Sequence, residues 1–248
     1  MRGLVCTLIL AGCATATPGE SGGGADASIK LDGNGGGKMD APMQMIDAPS
    51  GPQMATLTQT TSQALKAGNS IACGNSTGTR SNNYYRVFDL AAAGITSDFH
   101  VSQVSFQVES CDHVSSGNGI NVAVRVGTYN GTPGTTLTTG SMTILASNAS
   151  VAVPEVVEDV STTPPTTPGA TVNAPITATV TGGQKLLVEV DVPDGANNYG
   201  FYFGSNDGGE SAYGYLLAAD CSITNPTNIS TLGTPAPRHL LLTVTGTY

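Results

Sequence analysis

The stretch Leu186-Leu187-Val188-Glu189-Val190-Asp191-Val192 decides the fold. Leu186, Val188, Val190 and Val192 alternate with Leu187, Glu189 and Asp191, and a period of two places one set of side chains on each face of a strand. Turn signals bracket it, Thr181-Gly182-Gly183 before and Pro193-Asp194-Gly195 after. The same alternation recurs at Val104, Phe106 and Val108, at Val122, Val124 and Val126, at Tyr199, Phe201 and Phe203, and at Leu240, Leu242 and Val244. Weaker runs lie at Ala55–Thr60, Tyr84–Leu90, Ser141–Ala146 and Ile176–Val180. Together they predict about nine short strands and no long helix, which makes the chain all-β, an antiparallel sandwich or barrel. The Thr/Pro stretch Ser161–Pro168 falls between strands as a long surface loop.

Composition agrees. The 248 residues include 32 Gly and 14 Pro, no Trp, and only 11% charged residues, where a typical domain carries about a quarter. That argues against a helical bundle, a coiled coil and a large α/β enzyme. The net charge of −9 argues against nucleic acid and anionic membrane surfaces as partners.

Outward from the strands, the N-terminus reads as an address. Met1 and Arg2 precede the apolar stretch Gly3–Leu10, far short of the roughly 20 apolar residues that span a bilayer. It reads as a signal-peptide core. Leu10-Ala11-Gly12-Cys13 follows and resembles the lipobox of bacterial lipoproteins. The resemblance implies a signal peptide over 1–12 and Cys13 as the acylated mature N-terminus, anchored in the membrane through its acyl chains. Ala14 in place of Asp favours, by the same resemblance, the outer membrane of the bacterial cell envelope. From 13 to 53 no apolar periodicity is found. Ser21-Gly22-Gly23-Gly24, Gly33–Gly37 and the repeated Asp-Ala-Pro at Asp40 and Asp47 predict a disordered Gly/Pro linker. Residues 54–248 then form a single β-sandwich domain.

Several segments of that domain carry a second resemblance: Asn83–Leu90, Val101–Val108, Asn121–Tyr129, Gln184–Pro193, Phe203–Asn206 and Ala218–Cys221. They resemble a jelly-roll-like module of secreted bacterial proteins, found alone or appended to extracellular proteases. The resemblance implies a jelly-roll-like, two-sheet sandwich in an accessory role, and transfers no catalytic residue. Three cysteines remain beyond Cys13, and an oxidising compartment permits one bridge. The resemblance implies Cys73–Cys221; Cys73–Cys111 remains the alternative, since spacing alone does not choose.

Candidate chemistry is thin. His100, His113 and His239 have no G-x-S-x-G serine and no H-E-x-x-H companion, and read as surface or loop-capping residues. No metal and no cofactor is expected, for want of C-x-x-C or H-x-x-x-H spacing. Asp89, Glu109, Glu189, Asp191 and Glu210 are candidates for a paired-carboxylate hydrolase. Glu189 and Asp191, on one face of a strand, read instead as its solvated side. Tyr199, Tyr202, Tyr213 and Tyr215, set among Gly, Asn and Ser, form a candidate binding patch for a glycan or an envelope protein. The expected function is a non-enzymatic, lipid-anchored envelope protein with a structural, adhesion or accessory binding role. A carbohydrate-binding, lectin-like module is the alternative, and a secreted hydrolase with cryptic catalytic residues the second.

Overall fold

Period-two alternation becomes paired strands wherever a second strand can satisfy the exposed backbone. The computed structural model describes residues 51–75, 78–113, 119–159, 161–162, 166–195, 198–233 and 237–248. The expected signal peptide, Cys13 and all but the last residues of the linker lie outside these. Among the described residues the strands run as β1 (Met54–Thr58), β2 (Gly74–Asn75), β3 (Gly78–Thr79), β4 (Asn82–Asp89), β5 (Phe99–His113), β6 (Ile120–Tyr129), β7 (Met142–Val153) and β8 (Ala170–Val180). They continue as β9 (Lys185–Val192), β10 (Tyr199–Phe203), β11 (Ser205–Asn206), β12 (Gly214–Ala218), β13 (Ile223–Asn228), β14 (His239–Leu240) and β15 (Leu242–Thr247). Helical structure among these residues is limited to three 3-10 turns of three residues each.

Two antiparallel sheets hold the core. The first runs β1-β15-β5-β8, with β10 continuing the lane of β15 along the far half of β5. The second runs β13-β12-β4-β9-β6-β7. Number the eight strands β1, β4, β5, β6, β7, β8, β9 and β15 as one to eight. The sheets then read 1-8-3-6 and 2-7-4-5, the order of two Greek keys folded into a jelly roll. The segment from β10 to β14 is an insertion between the seventh and eighth of these strands. Its β12 and β13 widen the second sheet past β4.

The facing sides fill with the alternating apolar set. Val104, Phe106, Val108, Val124, Val126, Val188, Val190, Phe201, Phe203, Leu242 and Val244 are all buried in one cluster. Phe106 stacks on Phe203 at 5.5 Å between ring centroids, and Tyr84 lies 4.8 Å from Phe203. Each of the nine predicted strands is present. Besides the two-residue β2, β3 and β11, the structure adds β12 and β13, and their absence from the sequence reading has a cause. Four of the five β12 residues are buried, so its sequence is an apolar run without alternation. Polar β13 carries Pro226 on the last strand in the order of this sheet, where no further strand of the sheet needs its N–H.

Candidate functional site

A jelly roll brings its fifth and sixth strands together along one side, where β7 closes the second sheet and β8 closes the first. Both strands bulge there. On β7, Ala149 and Ser150 together oppose Ala123, because Val122 pairs with Val151 and Val124 with Asn148. On β8, Ile176 and Thr177 together oppose Ser102, because Val101 pairs with Ala178 and Gln103 with Pro175. A bulge bends its strand and re-aims side chains. Two bulges on neighbouring edges open a groove of about 420 Å³, within the usual size range of ligand clefts. Its polar lining is Ser102, Ser147, Asn148 and Thr177, and its carbon lining is Ala146, Ala149, Pro175 and Ile176. Asn148 Nδ2 donates to the Pro175 carbonyl at 3.1 Å, tying the two strands across it.

No titratable side chain lines this groove. It continues onto the outer face of the first sheet through Ser102, Pro175 and Thr177. That face carries no Asp, Glu, Lys or Arg on β1, β15 or β8, nor on β5 before Glu109. Its side chains bond sideways. The hydroxyls of Thr56 and Thr245 lie 3.2 Å apart. Ser105 Oγ donates to Asn173 Oδ1 at 2.8 Å, Gln103 Nε2 reaches the same oxygen at 3.1 Å, and His100 Nδ1 lies 3.0 Å from Thr179 Oγ1.

Cys73 and Cys221 form the disulfide, with Cα atoms 5.8 Å apart, inside the bridging range. It clips the segment ahead of β4 to the turn between β12 and β13. Cys111 is a buried free thiol whose pKa burial pushes up to about 11. The four tyrosines do not form one patch. Tyr199 and Tyr215 are buried, and Tyr199 donates to the Pro193 carbonyl. Tyr202 and Tyr213 are 39% and 48% exposed, but Tyr202 belongs to the first sheet and Tyr213 leads into the second. The candidate patch is thereby reduced to two separate exposed rings. Period two in 199–203 sends Tyr199 inward, and the apolar run after Gly214 buries Tyr215.

The carboxylates are committed to structure. Glu189 is buried, which corrects the expectation of a solvated strand face. Its Oε1 accepts from Asn83 Nδ2 at 2.8 Å, Tyr85 OH at 3.1 Å and Arg125 Nη1 at 2.9 Å, while Arg125 Nη2 reaches Asp191 at 2.8 Å. Burial pulls the Arg125 pKa down, and the two carboxylates outweigh it and leave it raised. Burial first, then Glu189, raises the pKa of Tyr85. Glu109 is the bulged residue of β5 opposite Tyr202 and Phe203, and accepts from the backbone N–H of Gly68 and Ser70 and from the Ser70 hydroxyl. His239 is buried too, contrary to a surface reading, with Nδ1 3.2 Å from Glu210 Oε1. The other oxygen of Glu210 lies 3.0 Å from Nη1 of the fully buried Arg86, close but out of line for a hydrogen bond. Arg86 donates to Gln59 and to the carbonyls of Ala212 and Leu240, tying β4 to the segment after β1, the loop before β12 and β14. Desolvation lowers the Arg86 pKa, and Glu210 opposes this.

Among the described residues, no group of three or more His, Cys, Asp or Glu could hold a metal, and no helix is long and apolar enough to cross a membrane. No family model, curated protein or solved structure matches the chain. The groove residues escaped the sequence reading, although one signal was there. Pro175 interrupts an otherwise regular strand, and proline inside a strand marks an edge or a bulge.

Proposed function

We propose that this chain is a lipid-anchored protein of the bacterial cell envelope that displays its jelly roll as a non-catalytic binding or structural module. The observation that carries the binding part is the groove between β7 and β8. It is lined by hydroxyl, amide and alkyl groups, with no acid or base to move a proton. The candidate carboxylates, by contrast, spend their oxygens on arginine, tyrosine and backbone partners, as structural ion pairs do. The anchoring part rests on Leu10-Ala11-Gly12-Cys13, which gives acylation of Cys13 and, with Ala14, sorting to the outer membrane. Acyl chains would hold the domain at a membrane, with the segment up to Gln53 as spacer.

Mass spectrometry of the mature N-terminus tests the anchor. A diacylated or triacylated Cys13 peptide supports the reading, and Cys13→Ser should leave the precursor unprocessed. A soluble mature chain beginning beyond Cys13 would overturn it.

A further inference from the structure

We infer that the β7–β8 groove and the adjoining outer face of the first sheet bind a neutral polysaccharide. This deepens the binding part of the proposed function and is independent of acylation.

Three independent features converge. The first is shape. Two bulges, Ala149–Ser150 on β7 and Ile176–Thr177 on β8, supply residues to one open groove between the two edges. The second is chemistry. A sugar ring offers hydroxyls around its rim and C–H groups on its faces. Ser102, Ser147, Asn148 and Thr177 present donors and acceptors to the rim, and the exposed Pro175 and Ala149 present carbon to a face. The third is charge. The chain carries −9 overall, yet the groove has no charged residue and the sheet face beside it none on four strands up to Glu109. An anionic polymer gains nothing from such a surface and is repelled by the remainder of the molecule. A neutral one is not repelled, and its hydroxyls can exchange bonds with water for bonds with Thr, Ser and Asn without stranding a charge. The lateral bonds Thr56–Thr245 and Ser105–Asn173 hold the face in place before any ligand arrives, which lowers the ordering cost of binding. Open grooves with continuing flat faces suit a chain rather than a single sugar.

Detergent-solubilised full-length protein is run in native gels containing dextran, laminarin or hydroxyethyl cellulose as neutral polymers, and alginate as the anionic one. Retardation in at least one neutral gel and none in alginate is expected. Thr177→Glu and Ala149→Glu, both at exposed positions, should each weaken that retardation at least about tenfold by desolvating a carboxylate against the sugar. Tyr213→Ser, in the other sheet, should leave it unchanged. Amide exchange on the unmutated protein provides a second readout, since the retarding polymer should slow exchange over both 146–149 and 176–177. The inference is overturned by no retardation in any neutral gel, by equal retardation in alginate, or by retardation that survives both glutamates. An extended peptide that protects 142–153 when no polysaccharide does would mean strand addition at the β7 edge instead. Failure here with Cys13 still acylated removes the glycan and leaves the anchor.

Discussion

The outer face of the second sheet is partly roofed, and that of the first, among the described residues, is open except at its far end, where the 61–70 segment reaches Gln107 and Glu109. The 130–141 connection folds over the second sheet and drives Leu137 onto Tyr85, Val87, Tyr129, Leu187 and Tyr215, making a second small core. The Leu137 N–H donates to the Pro226 carbonyl and the Thr138 N–H to the Tyr129 hydroxyl, which pins the roof to β13 and β6, while the Asn130 N–H donates to the Ser141 carbonyl across its base. Beside it Arg125 clamps Glu189 and Asp191. Among the described residues, no comparable segment crosses the Thr, Ser and Asn of β1, β15, β8 and the first half of β5, which remain half-buried or exposed. Both sheets have inward apolar residues at every second position. What lies on the other side depends on whether a distant segment covers it.

The largest expected effect is on the roofed side. Reducing Cys73–Cys221 frees a loop with a sequence separation of 148. The chain-entropy relation puts the loss near about 5 kcal/mol. Denaturant titration with and without reductant should show it, with β12–β13 amides losing protection first. Uniform loosening of both sheets would break the assignment of the bridge to the second. Leu137→Ala should cost about 2–5 kcal/mol, as for other buried leucines, read as a shift in the urea midpoint. A loss under about 1 kcal/mol would mean that the roof is only draped over the sheet.

Within the first sheet, the contrast between inner and outer sides can be sharpened with pH. Burial holds the Cys111 pKa at about 11, above its ordinary value of 9.0, so the folded state binds the proton more tightly than the unfolded. The associated stability is complete below about pH 9 and is lost as pH rises through 11. Tyr199 and Tyr215, raised by burial from 10.0 to about 12, extend the loss to higher pH. Cys111→Ala should remove the part between pH 9 and 11, worth at most about 2–3 kcal/mol, from thermal melts taken across that range. An unchanged pH profile in that variant would place the thiol in contact with solvent. On the outer side, Thr245→Val keeps the β-branch and loses one exposed hydroxyl contact to Thr56. Its effect should lie within about 0.5 kcal/mol, and a larger loss would mean the hydroxyl ladder is structural.

Legibility followed the same divide. The inner sides announced themselves, since alternation in 186–192 and 199–203 predicts strands whose apolar members are buried in the structure. Alternation also implied that Glu189 faces water. It does not, because Tyr85, Asn83 and Arg125 converge on it from β4 and β6, more than sixty residues away in sequence. His239 likewise gave no sign of burial, for its partner Glu210 comes from the loop before β12 and meets Arg86 of β4 in turn. The groove was the least visible feature. Its walls are two strands of opposite sheets, and a bulge is defined by pairing register, which one strand alone does not contain.

By itself the sequence determined the all-β class, the places of nine strands and the low overall share of charged residues, because each is a local property of residue order and type. Tertiary structure alone decided which cysteines pair, which outer face is roofed and where the edges bulge into a groove. Those depend on which segments meet, and in a jelly roll the strands that meet are far apart in the chain: β1 lies against β15, and β4 against both β9 and β12.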